Sequence, residues 1–167
     1  IEVTTGADGR AEFVKLFIRK AQTDYKITFS YTDTGLTKSV DSSAFEVKHA
    51  AASKLVVMTE SSAKPQAGVD FVAQPTVQLQ DQFDNEVKEV AVDVVVGVKI
   101  GSGDLKGTLT QATDANGLAT FTGLRVDGLI GERTLEFTSG TLTSDTSVVD
   151  VVAGAATKLV VMTEPSA

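Results

Sequence analysis

The sequence predicts an all-β protein made of antiparallel β-sandwich domains repeated in tandem. Three observations support this prediction. Apolar and polar residues alternate with a period of two, as half-buried strands require. Asn-Gly and Asp-Gly pairs interrupt these runs at short intervals, as in antiparallel domains. Residues 51–63 (AASKLVVMTESSA) return 104 positions later as residues 155–167 (AATKLVVMTEPSA), with eleven of thirteen positions identical. A period of one domain length indicates a repeated module.

This repeat divides the chain into three parts. We interpret residues 1–50 as the C-terminal half of one repeat, residues 51–154 as a complete repeat, and residues 155–167 as the first strand of the next. A looser duplication supports the division, since TTGADGRAEF (residues 4–13) aligns with ATDANGLATF (residues 112–121). ITFSYTDTGLTKS (residues 27–39) likewise aligns with LEFTSGTLTS (residues 135–144). A module of this size can bury an adequate core without metals or disulfides.

Composition excludes several classes of function. The chain has 15 basic and 22 acidic residues, a formal net charge of −7 and no cysteine. Nucleic-acid binding depends on clustered Lys and Arg, and no basic stripe occurs, so nucleic acid is not an expected partner. Apolar runs such as residues 55–58 are far too short to span a bilayer. No membrane segment is therefore expected in these residues, and any secretion signal or anchor must lie outside them.

The alternation also predicts which side chains face the core. The expected inward residues are Ile27 and Phe29; Val77 and Leu79; Val94, Val96, Val98 and Ile100; Phe121, Leu124 and Val126; Leu135 and Phe137; and Val149 and Val151. The opposite faces are expected to carry Gln78, Gln80, Gln82, Asp93 and Lys99. Val95 is also on an outward face, although a bulge near Gly97 would bury it instead.

Turn signals separate these strands. They are Asp8-Gly9, Asp84-Asn85, Gly101-Ser102-Gly103, Asn116-Gly117, Asp127-Gly128 and Ser139-Gly140. Asn-Gly and Asp-Gly suit the positive φ of a tight hairpin, and residues 101–108 are expected to form a hairpin and not a phosphate loop. Seven or eight strands per module predict a two-sheet sandwich of immunoglobulin type with Greek-key connections. A closed barrel is the structural alternative. The linkers, residues 48–53 and 153–157, are short and Ala-rich, which predicts a semi-rigid rod.

Two stretches carry a resemblance to a known family. PTVQLQDQFDNEV (residues 75–87) and TDANGLATFTGLRV (residues 113–126) resemble the bacterial immunoglobulin-like repeats of invasin and intimin type. The first stretch is similar to that family's strand ending in Asp-x-x-Gly-Asn, with Asp84 in place of the glycine. The resemblance implies a tandem repeat of a large surface, adhesin or S-layer protein, located outside a bacterial cell or in its wall.

The motif residues have a structural interpretation of their own. Asp81 and Asn85 flank the exit from a strand, where short polar side chains can bond freed backbone groups. Asn116 and Gly117 suit a left-handed turn. A metal site is the functional alternative: Asp81, Asp84, Asn85, Asp114 and Asn116 are calcium candidates because hard cations prefer loop oxygens. They lack the alternating spacing of a dedicated calcium loop.

No catalytic residues and no other cofactor are expected. His49 is the single histidine, and Ala153 takes its place one period later. Carboxylates such as Asp81 and Asp84 are plentiful, but nothing in the sequence places two of them across a cleft. The chain has no tryptophan and only two tyrosines, so there is no aromatic platform for a sugar.

Three functions remain to be compared. The first is a non-catalytic stalk, spacer or lattice module whose partners are neighbouring repeats. The second is a binding module that recognises a host protein, a glycan or a neighbouring subunit through loop tips or a strand edge, with Val95 as a candidate contact. In a variant of this hypothesis, residues 158–163 pair as a strand with a neighbour's incomplete half-module. The third, an enzyme, would require a non-repeated insertion, and none is visible.

Overall fold

Strands account for all regular secondary structure in residues 1–144 and 147–163, which the computed structural model describes. The all-β prediction is confirmed. The chain divides into two units, Ile1–His49 (unit 1) and Ala50–Ala167 (unit 2). The three-part division of the sequence into modules remains a prediction.

Unit 1 is built from two strand pairs. Its strands are β1 (Gln22–Tyr25), β2 (Thr28–Asp33), β3 (Leu36–Asp41) and β4 (Phe45–Val47). β1 pairs with β4, and β2 pairs with β3 across a two-residue turn, Thr34-Gly35, with φ angles of 42° and 85°. Positive φ at both positions matches the twist of the flanking strands. No residue of unit 1, all of which is described, is buried.

Unit 2 contains the other ten strands of the described residues. They are β5 (Lys54–Thr59), β6 (Thr76–Gln80), β7 (Asp93–Ile100), β8 (Asp104–Lys106), β9 (Thr110–Ala112), β10 (Leu118–Thr120), β11 (Arg125–Asp127), β12 (Gly131–Ser139), β13 (Leu142–Thr143) and β14 (Ser147–Val151). One sheet has the order β10-β6-β5, and a second has the order β13-β12-β7-β9, with β14 also paired to β12. β8 and β11 form a separate pair.

A single hydrophobic core joins the inner faces of these sheets. Val77 and Leu79 of β6 are fully buried with Leu135 and Phe137 of β12. The rings of Phe137 and Phe121, which follows β10, lie 5.2 Å apart between centroids. The predicted core residues Val94, Val96, Leu124, Val126, Val149 and Val151 are also buried, whereas Ile27, Phe29 and Val98 are only half-buried. The period of two therefore identified most of the core correctly.

The first segment of unit 2, residues 54–66, runs from one end of the unit to the other. β5 pairs antiparallel with β6, and the chain that follows it pairs parallel with the last strand. Leu55 bridges Ser144, and eleven residues later Gln66 bridges Val152. The chain therefore begins unit 2 at one end and leaves the last strand at the other. We call these the leading end, at Ala50, and the trailing end, at Val152.

Two side chains differ from the alternation. Gln78 was expected to face solvent, but it is buried, and its amide donates to the carbonyls of Asn116 and Gly117. Ile100 was expected in the core, but it is exposed. The cause is a bulge: Leu135 pairs with Val98 while the adjacent Thr134 pairs with Ile100, so one extra residue reverses the facing of the strand end. Val95 lies before this bulge and is exposed, at 42%.

Two turn predictions were wrong. Residues 101–108 do not form a hairpin, because β8 leaves the sheet of β7 and pairs with β11. Asn116-Gly117 makes a tight turn, but it connects β9 in one sheet to β10 in the other. The Ser139-Gly140 signal does form a hairpin, with Ser139 paired to Leu142.

The second copy of the repeated segment differs from the first. The described part of it, residues 155–163, contains no strand, and Leu159, Val160, Val161 and Met162 are exposed. It is not folded into the core of unit 2.

Candidate functional site

The Asp81 carboxylate organises the leading end of unit 2. Asp81 comes directly after β6 and is 0% exposed. One carboxylate oxygen accepts the backbone N–H groups of Phe83 (2.8 Å) and Asn85 (3.0 Å). The other accepts the Asn85 side-chain amide (2.9 Å) and the backbone N–H of Ala50 (2.9 Å). Four donors fill the acceptor capacity of a carboxylate.

This arrangement determines the charge of Asp81. Burial by itself raises the pKa of the carboxyl, but the Asn85 side-chain amide and the backbone N–H groups of Ala50, Asn85 and Phe83 oppose it. The pKa of Asp81 therefore lies well below its usual range. The residue is a charged structural anchor, with no oxygen left over for a ligand.

Asp84 shows why the family's glycine position tolerates a different residue. Its φ is 65°, in the left-handed region that glycine adopts most easily. Aspartate is among the residues that also enter this region. The exposed carboxylate forms an ion pair with Lys54 of β5. The turn is therefore kept without the glycine.

A second turn at the same end is built on Asp114. One oxygen of Asp114 accepts the backbone N–H groups of Asn116 (2.8 Å) and Leu118 (3.0 Å). The Asn116 side-chain amide lies 3.4 Å from the other oxygen. The backbone donors of Leu118 and Asn116 lower the pKa of Asp114. This local hydrogen bonding confirms a turn at Asn116-Gly117. Only Gly117, with a φ of 74°, is in the left-handed region, and the expectation for Asn116 was wrong.

Gln78 and Gly117 join the two turns. The Gln78 amide donates to the carbonyls of Asn116 (2.8 Å) and Gly117 (3.1 Å). The Leu79 N–H donates to the Gly117 carbonyl (3.0 Å), and the Val87 N–H donates to that of Leu79 (2.9 Å). A Cβ on Gly117 would lie 1.8 Å from the Val87 carbonyl oxygen. The two sequence motifs therefore form one hydrogen-bonded network at the leading end.

The five calcium candidates are thus brought to one end, but their oxygens hold the fold. In the described ranges, no group of three or more His, Asp or Glu side chains is arranged to hold a metal ion. Calcium would have to displace backbone donors from Asp81 or Asp114, or the lysine from Asp84.

We expect calcium to leave the melting temperature of the chain unchanged. The physical reason is that the carboxylates with depressed pKa values already have their donors. Differential scanning calorimetry with added calcium and with a chelator tests this, with magnesium as the control ion. A saturable rise in melting temperature with calcium alone would contradict it.

Two further features lie in unit 1, the single histidine and an apolar groove. His49 is the last residue of unit 1 and is half-buried. A groove of about 450 Å³ in unit 1 is lined by apolar residues and a single lysine, Lys15. The residues around it are Ile1, Leu16, Phe17, Ile18, Ile27, Phe45 and Val47. With no carboxylate in its lining, this groove suits an apolar segment.

Sequence reasoning missed a buried cation at the trailing end. Arg133 is 4% exposed, and its guanidinium donates to the carbonyls of Leu129 (2.6 Å) and Glu132 (2.9 Å). It holds a loop on which Leu129 and Ile130 are exposed. The signal was present in the sequence, because Arg133 shares the strand parity of the inward residues Leu135 and Phe137.

Comparison with known proteins identifies the domain type. A family model described as SMCHD1 Ig-like domain 6 matches residues 68–165, more than half of the chain. The chain belongs to this immunoglobulin-like family. The immunoglobulin-like sandwich predicted from the sequence is confirmed. No curated protein sequence matches the chain.

Solved structures similar to this immunoglobulin-like chain come from different kinds of protein. A β-glycosidase from Bacteroides vulgatus is 16% identical, with a TM-score of 0.45, over 77% of this chain and 17% of that protein. A β-glucuronidase from Parabacteroides merdae is 16% identical, with a TM-score of 0.39, over 71% and 14%. The D0-D1 domain of intimin is 15% identical, with a TM-score of 0.42, over 75% and 63%.

The chain spans less than two thirds of each of these three proteins. At these TM-scores and identities, the likenesses carry no argument about activity. The described residues include no helix that is long and apolar enough to cross a bilayer.

Proposed function

We propose that the chain is a non-catalytic structural part of a bacterial extracellular surface protein, serving as a semi-rigid stalk, spacer or lattice module. The observation that carries this proposal is the position of the two ends of unit 2. Because its first strand runs parallel to its last, the chain begins at the leading end and leaves at the trailing end. Modules with this arrangement connect end to end, and each one adds its full length to an array.

The hydrogen bonds at the leading end support stiffness as well as length. The Asp81 carboxylate accepts the backbone N–H of Ala50, and the Ser53 N–H donates to the carbonyl of Gln80 (2.8 Å). The residues that precede β5 are therefore bonded to unit 2 at two points. A short linker that is bonded to its module has few conformations, which favours a rod over a flexible string.

Small-angle X-ray scattering tests the proposal on proteins carrying one, two and four tandem copies of the repeat. The bridge partners Ser144 and Val152 are eight residues apart, so we expect the maximum dimension to grow by about 25 Å or more for each copy. In a matched control, residues 50–53 are replaced by Gly and Ser, and the increment should fall because the linker becomes flexible. A dimension that does not grow with copy number would contradict the proposal.

One observation favours a binding module as the second candidate. Ile100, Leu129 and Ile130 are exposed at the trailing end, and the buried guanidinium of Arg133 fixes the loop that carries two of them. Exposed apolar side chains on a fixed loop are suited to contact another protein surface. Comparing several copies discriminates between the candidates, since a ligand-binding loop should differ sharply among repeats whereas a spacer should vary over its whole surface.

A further inference from the structure

A pair of phenylalanine rings has the same geometry in both units. The rings of Phe13 and Phe29 lie 5.2 Å apart between centroids at an interplanar angle of 53°, and those of Phe121 and Phe137 have the same distance and the same angle. Both members of the second pair lie 108 positions after their counterparts in the first. The residues between the two rings therefore correspond one to one, and position 25 of unit 1 is equivalent to position 133 of unit 2.

The side chains at these two equivalent positions make the same kind of contact. The Tyr25 hydroxyl donates to the carbonyl of Lys20 (3.2 Å), five residues earlier. The Arg133 Nη2 donates to the carbonyl of Leu129 (2.6 Å), four residues earlier. Each carbonyl lies just before the strand that carries the donor, β1 in unit 1 and β12 in unit 2. A tyrosine and an arginine thus fasten the loop before the strand from one position of the module.

The positive charge of Arg133 has no counter-ion. The residue is 4% exposed, and the ion pairs found in residues 1–144 and 147–163 do not include it. Its Nε is buried without a hydrogen-bond partner among these residues. A buried charge without a carboxylate and a buried donor without an acceptor both cost stability. The charge therefore does not explain the presence of arginine, whereas its bonds to carbonyls do.

The loop before β12 explains why an arginine is used there. Gly128 and Gly131 have φ angles of 110° and 115°, and the equivalent residues of unit 1 are Lys20 and Thr23. Glycine loses more conformational freedom than other residues when a loop is fixed. Arg133 makes a second bond, from Nη1 to the carbonyl of Glu132 (2.9 Å), which a hydroxyl with one proton cannot add. The more flexible loop is therefore held by two bonds.

We propose that position 133 is the loop-fastening position of the module, and that bonding to the Leu129 carbonyl, not positive charge, is what the position requires. The fastened loop presents Leu129 and Ile130, both exposed. A loop already fixed by a buried side chain loses less conformational entropy when it contacts another surface. The proposal concerns the loop itself and holds for a stalk module and for a binding module alike.

Hydrogen–deuterium exchange of the full chain, followed by mass spectrometry, tests the proposal at residues 127–132. We expect the slowest exchange in the wild type, intermediate exchange in Arg133→Tyr and the fastest in Arg133→Phe. Loss of one hydrogen bond should speed local exchange by about fivefold. Tyrosine and phenylalanine differ only in the hydroxyl, so Arg133→Phe is the matched control. Exchange in β6 reports global unfolding and separates a loop effect from a general loss of stability.

The reciprocal substitutions in unit 1 keep the test valid if variants of Arg133 unfold unit 2. Tyr25→Phe should speed exchange at residues 19–24 by a similar factor, and Tyr25→Arg should restore the slow exchange, because arginine can also donate to the Lys20 carbonyl. Equal exchange at residues 127–132 in folded Arg133→Tyr and Arg133→Phe would overturn the proposal. Equal exchange at residues 19–24 in Tyr25→Arg and Tyr25→Phe would also overturn it.

Discussion

Replacing Gly117 with alanine is expected to prevent unit 2 from folding, or to lower its free energy of unfolding by about 4 kcal/mol or more. The φ of Gly117 is 74°, where a side chain is strained. The added Cβ would also lie 1.8 Å from the Val87 carbonyl oxygen and 3.1 Å from the Gln78 amide nitrogen. Relief would require moving backbone at the point where both turns of the leading end meet. Urea denaturation followed by circular dichroism measures the effect.

Gly140→Ala is the matched control for this prediction. Gly140 also has a positive φ, 56°, but a Cβ there would meet nothing within 4 Å. Only the backbone strain remains, so we expect a loss of about 1 kcal/mol. Equal losses at the two glycines would show that the close approach of Val87 to Gly117 does not contribute.

Replacing Asp81 with asparagine is the second substitution from which we expect a large loss of stability. An amide nitrogen would take the place of an oxygen that accepts two hydrogen bonds, leaving buried donors of Asn85, Phe83 or Ala50 without an acceptor. We expect this substitution to lower the melting temperature more than Asp84→Asn does. Asp84→Asn is the control because the Asp84 carboxylate is exposed. Its ion pair is with the side chain of Lys54.

The same carboxylate predicts a dependence on pH. The pKa of Asp81 is lowered by folding, so its contribution is fully present above the pKa of an unfolded aspartate, about 3.9. The contribution is lost as the pH falls below that value towards the folded pKa. The difference in melting temperature between wild type and Asp81→Asn should therefore be constant near neutral pH and shrink in acid. A difference that persists unchanged at the lowest pH would contradict this assignment.

Much of the candidate site was visible in the sequence as residue types. Asp81 and Asn85 were expected to bond freed backbone groups, and the structure confirms this for Asp81, whereas the Asn85 side-chain amide donates to the Asp81 carboxylate. The backbone bonding of Asp114 in the Asn116-Gly117 turn was not predicted. The joining of the two turns was not predictable, because it depends on Gln78, which the alternation assigned to solvent. The acceptors of its amide are carbonyls of Asn116 and Gly117, 38 and 39 residues along the chain. A periodic pattern contains no information about a partner at that distance.

The facing of the strand residues was likewise predictable where it depends on local alternation and not where it depends on a distant strand. Leu79 and Phe137 were assigned to the core correctly, since alternation is a local property of an extended backbone. Ile100 was assigned wrongly because a bulge at Val98–Ile100 depends on the register with β12. The pairing of β8 with β11, in place of the expected hairpin at residues 101–108, likewise depends on which strand edge is free in the folded molecule.

The sequence by itself determined that this protein consists of β-strands, which side chains most of them bury, and that residues 51–63 return almost unchanged 104 positions later. These properties follow from the local geometry of an extended chain and from direct comparison of segments. Only the tertiary structure decided that the two polar turns meet at one end, that the first and last strands run parallel, and that identical copies of one strand are buried at Leu55 and exposed at Leu159. Burial is a property of what packs against a segment, so identical sequences can differ in it completely.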